Sequence, residues 1–392
     1  MTAKQEQITD FLASHGGPFY ELQARLGLLR ADTLKVRSRA AIFVAIAWGV
    51  PLLLGLPGSL SLHEEGIRPY LLDPSAWVRF FIAITAFMLA EEQVERGLHS
   101  KLTQFLRAPL LDPASIPEAV ASVSQALKKR DSRLAELVML ILAACAGISS
   151  YSLLAAADTS SWAALHGPDG ARLTIAGWWS VGVSLPLCFF LLFRGLWRHF
   201  VWSRLLRKIA RLDLRLVATH PDGKGGLGFL AEYPNAYMLF VFGMSSVIAA
   251  AIAKNLVHGD VQISVLSMVM AGWLAIVLLL FAYPLSAFSA PLSTLKKRAM
   301  LLLGAQATRY HRAAERKLLG QNVVADSGSE AEEDVPDPTK VFETTRKLSS
   351  LLVTRSAIVP VTAAALIPFA IAGAAWLPYK EVFSVLKKLV LI

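Results

Sequence analysis

Seven long apolar blocks constrain the fold of this 392-residue chain more than any other feature of its sequence. Six of them are about as long as the ~20 residues that a helix needs to cross a hydrocarbon layer. Only helices and closed barrels satisfy every backbone polar group in lipid, and the alternating pattern of a barrel is absent. The blocks are Ala40–Leu56, Trp77–Ala90, Leu134–Ala157, Thr174–Trp197, Ala236–Leu256, Val261–Tyr283 and Ala357–Leu377. We therefore predict an all-α, multi-pass membrane protein with about seven membrane helices.

The composition supports this fold class. Apolar residues make up 55% of the chain and charged residues 17%, whereas soluble domains have roughly 45–50% and 25%. The two cysteines, Cys145 and Cys188, both lie inside apolar blocks, where a thiol behaves as a small hydrophobe. The sequence therefore gives no support for a disulfide framework, a metal site or a cofactor.

Lysine and arginine alternate between the connections of the blocks. Residues 1–39, 91–133, 194–235 and 289–355 contain six, seven, eight and eleven of them, whereas 57–75, 158–173 and 254–260 contain one each. By the positive-inside rule, this alternation predicts a cytoplasmic N-terminus in a bacterial inner membrane or an equivalent one. The net charge of +10 then reflects membrane topology and contact with anionic lipid headgroups, which argues against nucleic-acid binding.

Four regions are expected along the chain. Residues 1–39 would form cytoplasmic helices interrupted at Ser14–Pro18, and residues 40–320 a membrane bundle with long cytoplasmic helical extensions. One helix is predicted to run without interruption from residue 115 to about residue 157, and another to reach about residue 219. Residues 321–338 form an acidic flexible linker, and residues 339–392 a helix, the last membrane segment and an amphipathic tail. Because Pro360 and Pro368 interrupt the last apolar block, it is either a kinked crossing or a re-entrant hairpin.

Carboxylates follow the second apolar block, which is too short to span a membrane unless its helix continues past Ala90. A helical wheel places Glu91 and Glu95 on the apolar side of this helix, whereas Glu92 faces Arg96 and His99. Ionisable groups near membrane depth are candidates for a functional pathway. The alternative is an interhelical ion pair with Arg194 or Arg198, which are expected at the same boundary.

A basic segment follows the fourth block. On a helical wheel its cations share one arc and Asp213 falls on the opposite, apolar side, so we expect this carboxylate to be buried and paired. The arc either faces water and anionic headgroups or lines a vestibule for an anionic ligand. The cations are Arg204, Arg207, Lys208, Arg211 and Arg215.

The most distinctive motif is His220-Pro221-Asp222-Gly223-Lys224-Gly225-Gly226-Leu227-Gly228. Its glycines would allow backbone N–H groups to approach an anion, and Lys224 would add charge, which indicates either a ligand-binding or gating loop or a simple chain reversal. The spacing of a nucleotide-binding loop is not met. His220-Pro221-Asp222 after a basic helix resembles the signature of J-domain co-chaperones, but the resemblance covers only these elements and the next segment leads into a membrane block.

These observations favour a homo-oligomeric channel or transporter for an ion or small solute. Its inner vestibule would be lined by Glu91, Glu92 and the basic segment, with the glycine loop as a gate. A membrane-embedded enzyme acting on a lipid or phosphate substrate through His220, Asp222 and Lys224 is the first alternative. A non-catalytic signalling or assembly protein, whose cytoplasmic helices bind a protein partner, is the second.

Overall fold

A computed structural model describes residues 13–29, 34–60, 70–155, 161–167, 170–257, 263–324, 336–374 and 379–390. Within these ranges, seven helical segments are long and apolar enough to cross a membrane, as predicted. They are Val36–Gly55, Pro74–Arg107, Arg133–Ser150, Ile175–Ile209, Gly228–Ala253, Ser264–Leu319 and Arg355–Ala374. The side of the membrane on which each connection lies remains a prediction.

The helices begin and end as follows. Helix α1 is Pro18–Arg25, α2 is Val36–Val44, α3 is Val50–Leu60, α4 is Ile84–Arg107, α5 is Ile116–Arg130, α6 is Arg133–Ala155 and α7 is Ile175–Trp179. Helix α8 is Leu185–Ile209, α9 is Met238–Val257, α10 is Ile263–Leu285, α11 is Ser289–Leu319, α12 is Thr339–Arg346, α13 is Arg355–Ala374 and α14 is Tyr379–Val390. A short antiparallel hairpin, β1 Ala164–Gly167 and β2 Gly170–Leu173, precedes α7 and was not predicted.

Helix α8 lies at the centre of the bundle. It packs against α4, α5, α6 and α10, and Trp202 near its end is completely buried. Helix α13 packs along α9 and is continuous over 20 residues although it contains Pro360 and Pro368. At about 1.5 Å per residue it is about 30 Å long, which favours a kinked crossing over a re-entrant hairpin. The tail helix α14 folds back onto α13, with Val382 against Gly373.

Stretches of π-helix interrupt the membrane segments at the end opposite to the charged residues described below. One of them, Ala45–Gly49, joins α2 to α3 just before Pro51. Since proline has no N–H group, a carbonyl of this turn is left without its helical donor. Ile46 O accepts a hydrogen bond from the indole N–H of Trp179 at 3.0 Å, and Trp48 O accepts one from the Tyr70 hydroxyl at 3.0 Å. Aromatic side chains thus tie three segments together at this end.

Two predicted helices end earlier than expected. The predicted continuous helix from residue 115 to 157 is wrong, because the chain breaks at Asp131–Ser132 between α5 and α6. The Ser132 hydroxyl accepts a hydrogen bond from the backbone N–H of Ala135 at 3.3 Å, which begins the new helix.

The prediction that the basic helix reaches residue 219 is also wrong, since α8 ends at Ile209. Residues after it are extended and pair with the segment that follows α4. Leu214 forms an antiparallel bridge with Leu111, and Arg215 N–H donates to Leu110 O at 2.8 Å. This pairing supplies the backbone hydrogen bonds that a longer helix would have supplied.

Three further predicted features fall outside the described residues. They are the helix expected before Ser14, most of the acidic linker and the first residues of the tail, since residues 1–12, 325–335 and 375–378 are not described.

Candidate functional site

Three arginines and two glutamates form a buried cluster at one end of the membrane helices. Arg194 Nη1 lies 2.5 Å from Glu91 Oε1, and Arg198 Nη1 lies 3.4 Å from the same oxygen. Arg39 donates to the other oxygen, Glu91 Oε2. Arg194 also places Nε 3.4 Å from Glu136 Oε1, so two carboxylates share it. We call these five residues the arginine–glutamate cluster.

Four antiparallel helical segments bring the arginine–glutamate cluster together. Arg39 and Glu136 lie near the first residues of their membrane segments. Glu91 and Arg194 lie about 26 and 28 Å along their segments from Pro74 and Ile175, at about 1.5 Å per residue. Because successive membrane helices alternate in direction, all of these positions fall at the same boundary of a layer about 30 Å thick.

A loop of the N-terminal region, Ser14–Pro18, covers the arginine–glutamate cluster; we call it the N-terminal loop. The Ser14 hydroxyl donates to Glu91 O at 2.7 Å, and its backbone N–H donates to the Glu95 carboxylate. Arg198 Nη2 donates to Ser14 O at 2.9 Å. The loop therefore satisfies polar groups of α4 and α8 that would otherwise be buried without partners.

Further contacts hold the N-terminal loop and the start of α1 in place. His15 Nδ1 lies 3.1 Å from Glu95 Oε1, and the Phe19 N–H donates to Glu136 Oε2 at 2.7 Å. Gly16 and Gly17 allow the N-terminal loop to approach its neighbours closely. Gly17 has a φ of 89°, and a Cβ at this position would lie 2.6 Å from Glu136 Oε1. An alanine there would be strained in its backbone and would collide with the cluster.

A small cavity of about 30 Å³ lies beside the arginine–glutamate cluster. This volume corresponds to about two water molecules. Phe87, Leu191 and Phe240 line its apolar part, and the cluster and Ser14 line its polar part. The Tyr237 ring also lines it, and the buried hydroxyl of this tyrosine has no hydrogen-bond partner among the described residues.

The predicted site residues thus fall into separate groups. The structure brings Glu91, Arg194 and Arg198 together in the interhelical ion pairs that were the alternative to an open pathway. Glu95 lies beside them but contacts Ser14 and His15 of the N-terminal loop. Glu92 lies outside the cluster, where its half-exposed side chain pairs with the exposed Arg96.

The basic segment does not form a single arc. Arg204 and Lys208 lie on α8, whereas Arg211, Asp213 and Arg215 follow the end of this helix and are exposed. The expected burial of Asp213 is therefore wrong, because the chain is extended there and turns its leucines, not this carboxylate, towards the protein.

The glycine loop is held together by its own aspartate. Asp222 accepts hydrogen bonds from the backbone N–H groups of Lys224 at 2.8 Å, Gly226 at 3.2 Å and Gly228 at 2.8 Å, and His220 Nδ1 lies 2.8 Å from its Oδ1. Burial raises the pKa of the Asp222 carboxyl, but these hydrogen bonds outweigh burial and hold the pKa below its ordinary value of 3.8. The backbone N–H groups that were expected to face an anionic ligand thus donate to Asp222 inside the loop. Gly223 and Gly225 are the other two glycines of the loop.

Lys224 points away from this loop. Its ammonium donates to Leu351 O at 3.0 Å and to Val353 O at 2.7 Å, and burial lowers its pKa. Ser349 N–H in turn donates to Gly223 O at 2.9 Å. The loop therefore anchors the segment that leads into α13. Among the described residues there is no group of three or more His, Cys, Asp or Glu side chains that could hold a metal ion.

Comparisons were made with protein-family models, with curated protein sequences and with solved structures. None of the three finds a significant match to this chain.

Proposed function

We propose that the protein is a homo-oligomeric membrane channel or transporter for an ion or small solute. The arginine–glutamate cluster would form the wall of its pathway at the cytoplasmic mouth. The observation that carries this proposal is the burial of Glu91 among three arginines at membrane depth, next to a cavity. Burying such charges costs free energy even when they are paired, and hydrophobic side chains of similar volume would often stabilise a bundle as well. Charges kept at this depth are typical of transport pathways.

The N-terminal loop supports a gate in this pathway. It lies over the cluster and is held by side chains and backbone groups of α4, α6 and α8. With the loop in place the cavity has room for about two water molecules. We therefore assign the present conformation to a closed state, and movement of the N-terminal loop to opening.

This assignment differs from the sequence-based expectation of a glycine-loop gate. The Asp222 carboxylate and the Lys224 ammonium are both engaged in contacts that fix the loop to the segment before α13. The same contacts occupy the side chains that an enzyme at this loop would need, so we favour transport over catalysis.

Flux assays on protein reconstituted in liposomes test the proposal. We expect wild-type protein to carry flux of a monovalent ion, and Glu91→Gln to change the anion-to-cation selectivity several-fold because it leaves an excess of positive charge at the mouth. Glu92→Gln is the matched control, since Glu92 lies one residue away and pairs only with Arg96 among the described residues. If Glu91→Gln does not fold, Arg198→Gln replaces it and should change the selectivity in the opposite direction, because it removes a positive charge from the same cavity. Absence of flux from wild-type protein under gradients of both cations and anions would contradict the proposal.

A further inference from the structure

A cationic groove lies between α5 and α8, separate from the arginine–glutamate cluster. Lys129 of α5 and Arg204 and Lys208 of α8 line it, with Ser122 and Gln125. Its volume is about 10 Å³, and it is open to the surface. The groove is thus large enough for a single oxygen atom of a larger group that remains outside. We call it the α5–α8 groove.

The charges of this groove are not neutralised within the described part of the chain. None of the described carboxylates lies within ion-pair distance of Lys129, Arg204 or Lys208. Lys208 donates to the amide oxygen of Gln125, and Arg204 stacks on the Phe200 ring at 5.6 Å. Arg204 and Lys208 are four residues apart on one helix, a spacing at which like charges repel. An anion between them would remove this repulsion.

The Lys129 end of the groove lies at the level where a membrane surface is expected, and its Lys208 end lies farther from the membrane. The Trp197 indole N–H donates to Lys129 O at 3.3 Å, and tryptophan is enriched at the boundary between hydrocarbon and headgroups. Phe200, next to Arg204, is 41% exposed. A charged groove with aromatic side chains at its edge matches the transition from phosphate to acyl chain in a phospholipid.

An exposed apolar surface continues from the groove. Helix α6 begins just after Lys129, and its side chains Leu134 and Leu137 are 70% and 52% exposed. Leu140 and Ile141, one turn further along the membrane segment, are also more than half exposed. A free phosphate ion would gain nothing from this surface, whereas the acyl chains of a lipid would cover it.

We propose that the α5–α8 groove binds the phosphate group of an anionic phospholipid. Lys129, Arg204 and Lys208 contact the phosphate oxygens, and the acyl chains lie along the outer face of α6. This site does not depend on the transport proposal, because no residue of the arginine–glutamate cluster takes part in it. Its position on α8 places a bound lipid on the same helix as Arg194 and Arg198.

Native mass spectrometry of the detergent-solubilised full chain, titrated with phosphatidylglycerol, tests this site. Each cation near a phosphate contributes to binding of anionic lipid, so we expect the triple variant K129Q/R204Q/K208Q to bind phosphatidylglycerol at least about tenfold more weakly than wild-type protein. The matched control is K297Q/R298Q/K317Q, which removes three exposed cations of α11 and should leave lipid binding unchanged. Thermal unfolding of each variant verifies that it is folded. If the triple variant does not fold, the single variant Arg204→Gln replaces it, and its affinity for phosphatidylglycerol should be intermediate.

Two further titrations show whether the bound phosphate belongs to a lipid or is a free ion. Phosphatidylcholine has the same phosphate diester but carries a cationic choline, so the groove substitutions should weaken its binding less than that of phosphatidylglycerol. Inorganic phosphate should not displace phosphatidylglycerol. Equal loss of phosphatidylglycerol binding in the two triple variants would overturn the proposal, since binding would then follow net charge alone. Displacement of the lipid by inorganic phosphate at comparable concentration would also overturn it, in favour of a soluble phosphate ligand.

Discussion

Glu91 and Arg194, separated by 103 residues in the chain, place Oε1 and Nη1 2.5 Å apart in the interior of the helical bundle. Their side chains are only 11% and 4% exposed. Arg39 and Arg198 contact the same carboxylate, so that three guanidinium groups surround Glu91. Its removal would leave Arg39 and Arg198 buried without this counter-charge and Arg194 with Glu136 alone, and the stability of the bundle therefore depends on it.

Glu91→Gln should destabilise the protein strongly. Loss of one partner of a buried ion pair costs about 3–5 kcal/mol, because the desolvated charge of the other partner is left uncompensated. Thermal unfolding in detergent measures the change. The free energy of unfolding of Glu92→Gln is expected to stay within about 0.5 kcal/mol of that of wild type, since the ion pair of Glu92 with Arg96 is exposed. Equal effects of the two substitutions would show that the cluster does not stabilise the bundle.

Gly17→Ala should release the N-terminal loop from the cluster. The new Cβ would collide with the Glu136 carboxylate in addition to the strain of a positive φ. Gly27→Ala is the comparison, because Gly27 also has a positive φ of 71° but nothing within 4 Å of its would-be Cβ. The backbone of Gly17, with a ψ of 160°, adds a strain of its own, since only glycine readily adopts it. In a Cys145→Ala background, we expect a cysteine at Ser14, which is 2% exposed, to react faster with maleimide in the Gly17→Ala protein. Unchanged labelling relative to Gly27→Ala would contradict a loop held by this contact.

Trp179→Phe should lower the free energy of unfolding by about 1 kcal/mol, because it removes the hydrogen bond to Ile46 O. This carbonyl lies in the π-helical turn before Pro51. The neighbouring Trp178 is 67% exposed, so Trp178→Phe provides a control with the same chemical change. Unfolding of both variants in mixed detergent and lipid micelles measures the difference. A cost for Trp178→Phe as large as that for Trp179→Phe would show that the indole hydrogen bond is not its source.

Asp222 makes the stability of the glycine loop dependent on acid pH. Since its pKa in the folded protein lies below its ordinary value, its contribution to stability is present above about pH 3.8 and is lost as the pH falls through the folded pKa. Asp222→Asn should therefore lower Tm at about pH 6, and the difference in Tm from wild type should shrink as the pH falls below about 3.8. A difference independent of pH would mean that the ionised carboxylate does not hold the loop.

The membrane segments could be predicted from the sequence because each depends on hydrophobicity over about twenty residues. The prediction failed where a short pattern was assigned the wrong period. From Arg211 to Leu216 charged residues alternate strictly with leucine, which is the period of a strand and not of the helix predicted for them. The alternation accounts for the extended pairing of Leu214 with Leu111 and for the exposure of Asp213.

Three of the five residues of the arginine–glutamate cluster can be predicted in the same way. Glu91 is identified because the second block is too short to span without it, and Arg194 and Arg198 because they are expected at the same boundary. Arg39 and Glu136 are not, since charges at the ends of apolar blocks are usually explained by contact with water or headgroups. The covering of the cluster by Ser14 and His15 depends on tertiary contacts across about 80 residues of sequence, which no local pattern encodes.

The flux of Gly17→Ala protein in liposomes, compared with wild type and Gly27→Ala, tests the proposed gate most directly. If the N-terminal loop closes a pathway at the arginine–glutamate cluster, its release should raise the rate of ion flux several-fold, while Gly27→Ala should behave like wild type. Maleimide labelling at residue 14 on the same preparations shows whether the loop has moved. Faster labelling of Gly17→Ala without any rise in flux would contradict the account, because the loop would then have left the cluster without opening a path through the membrane.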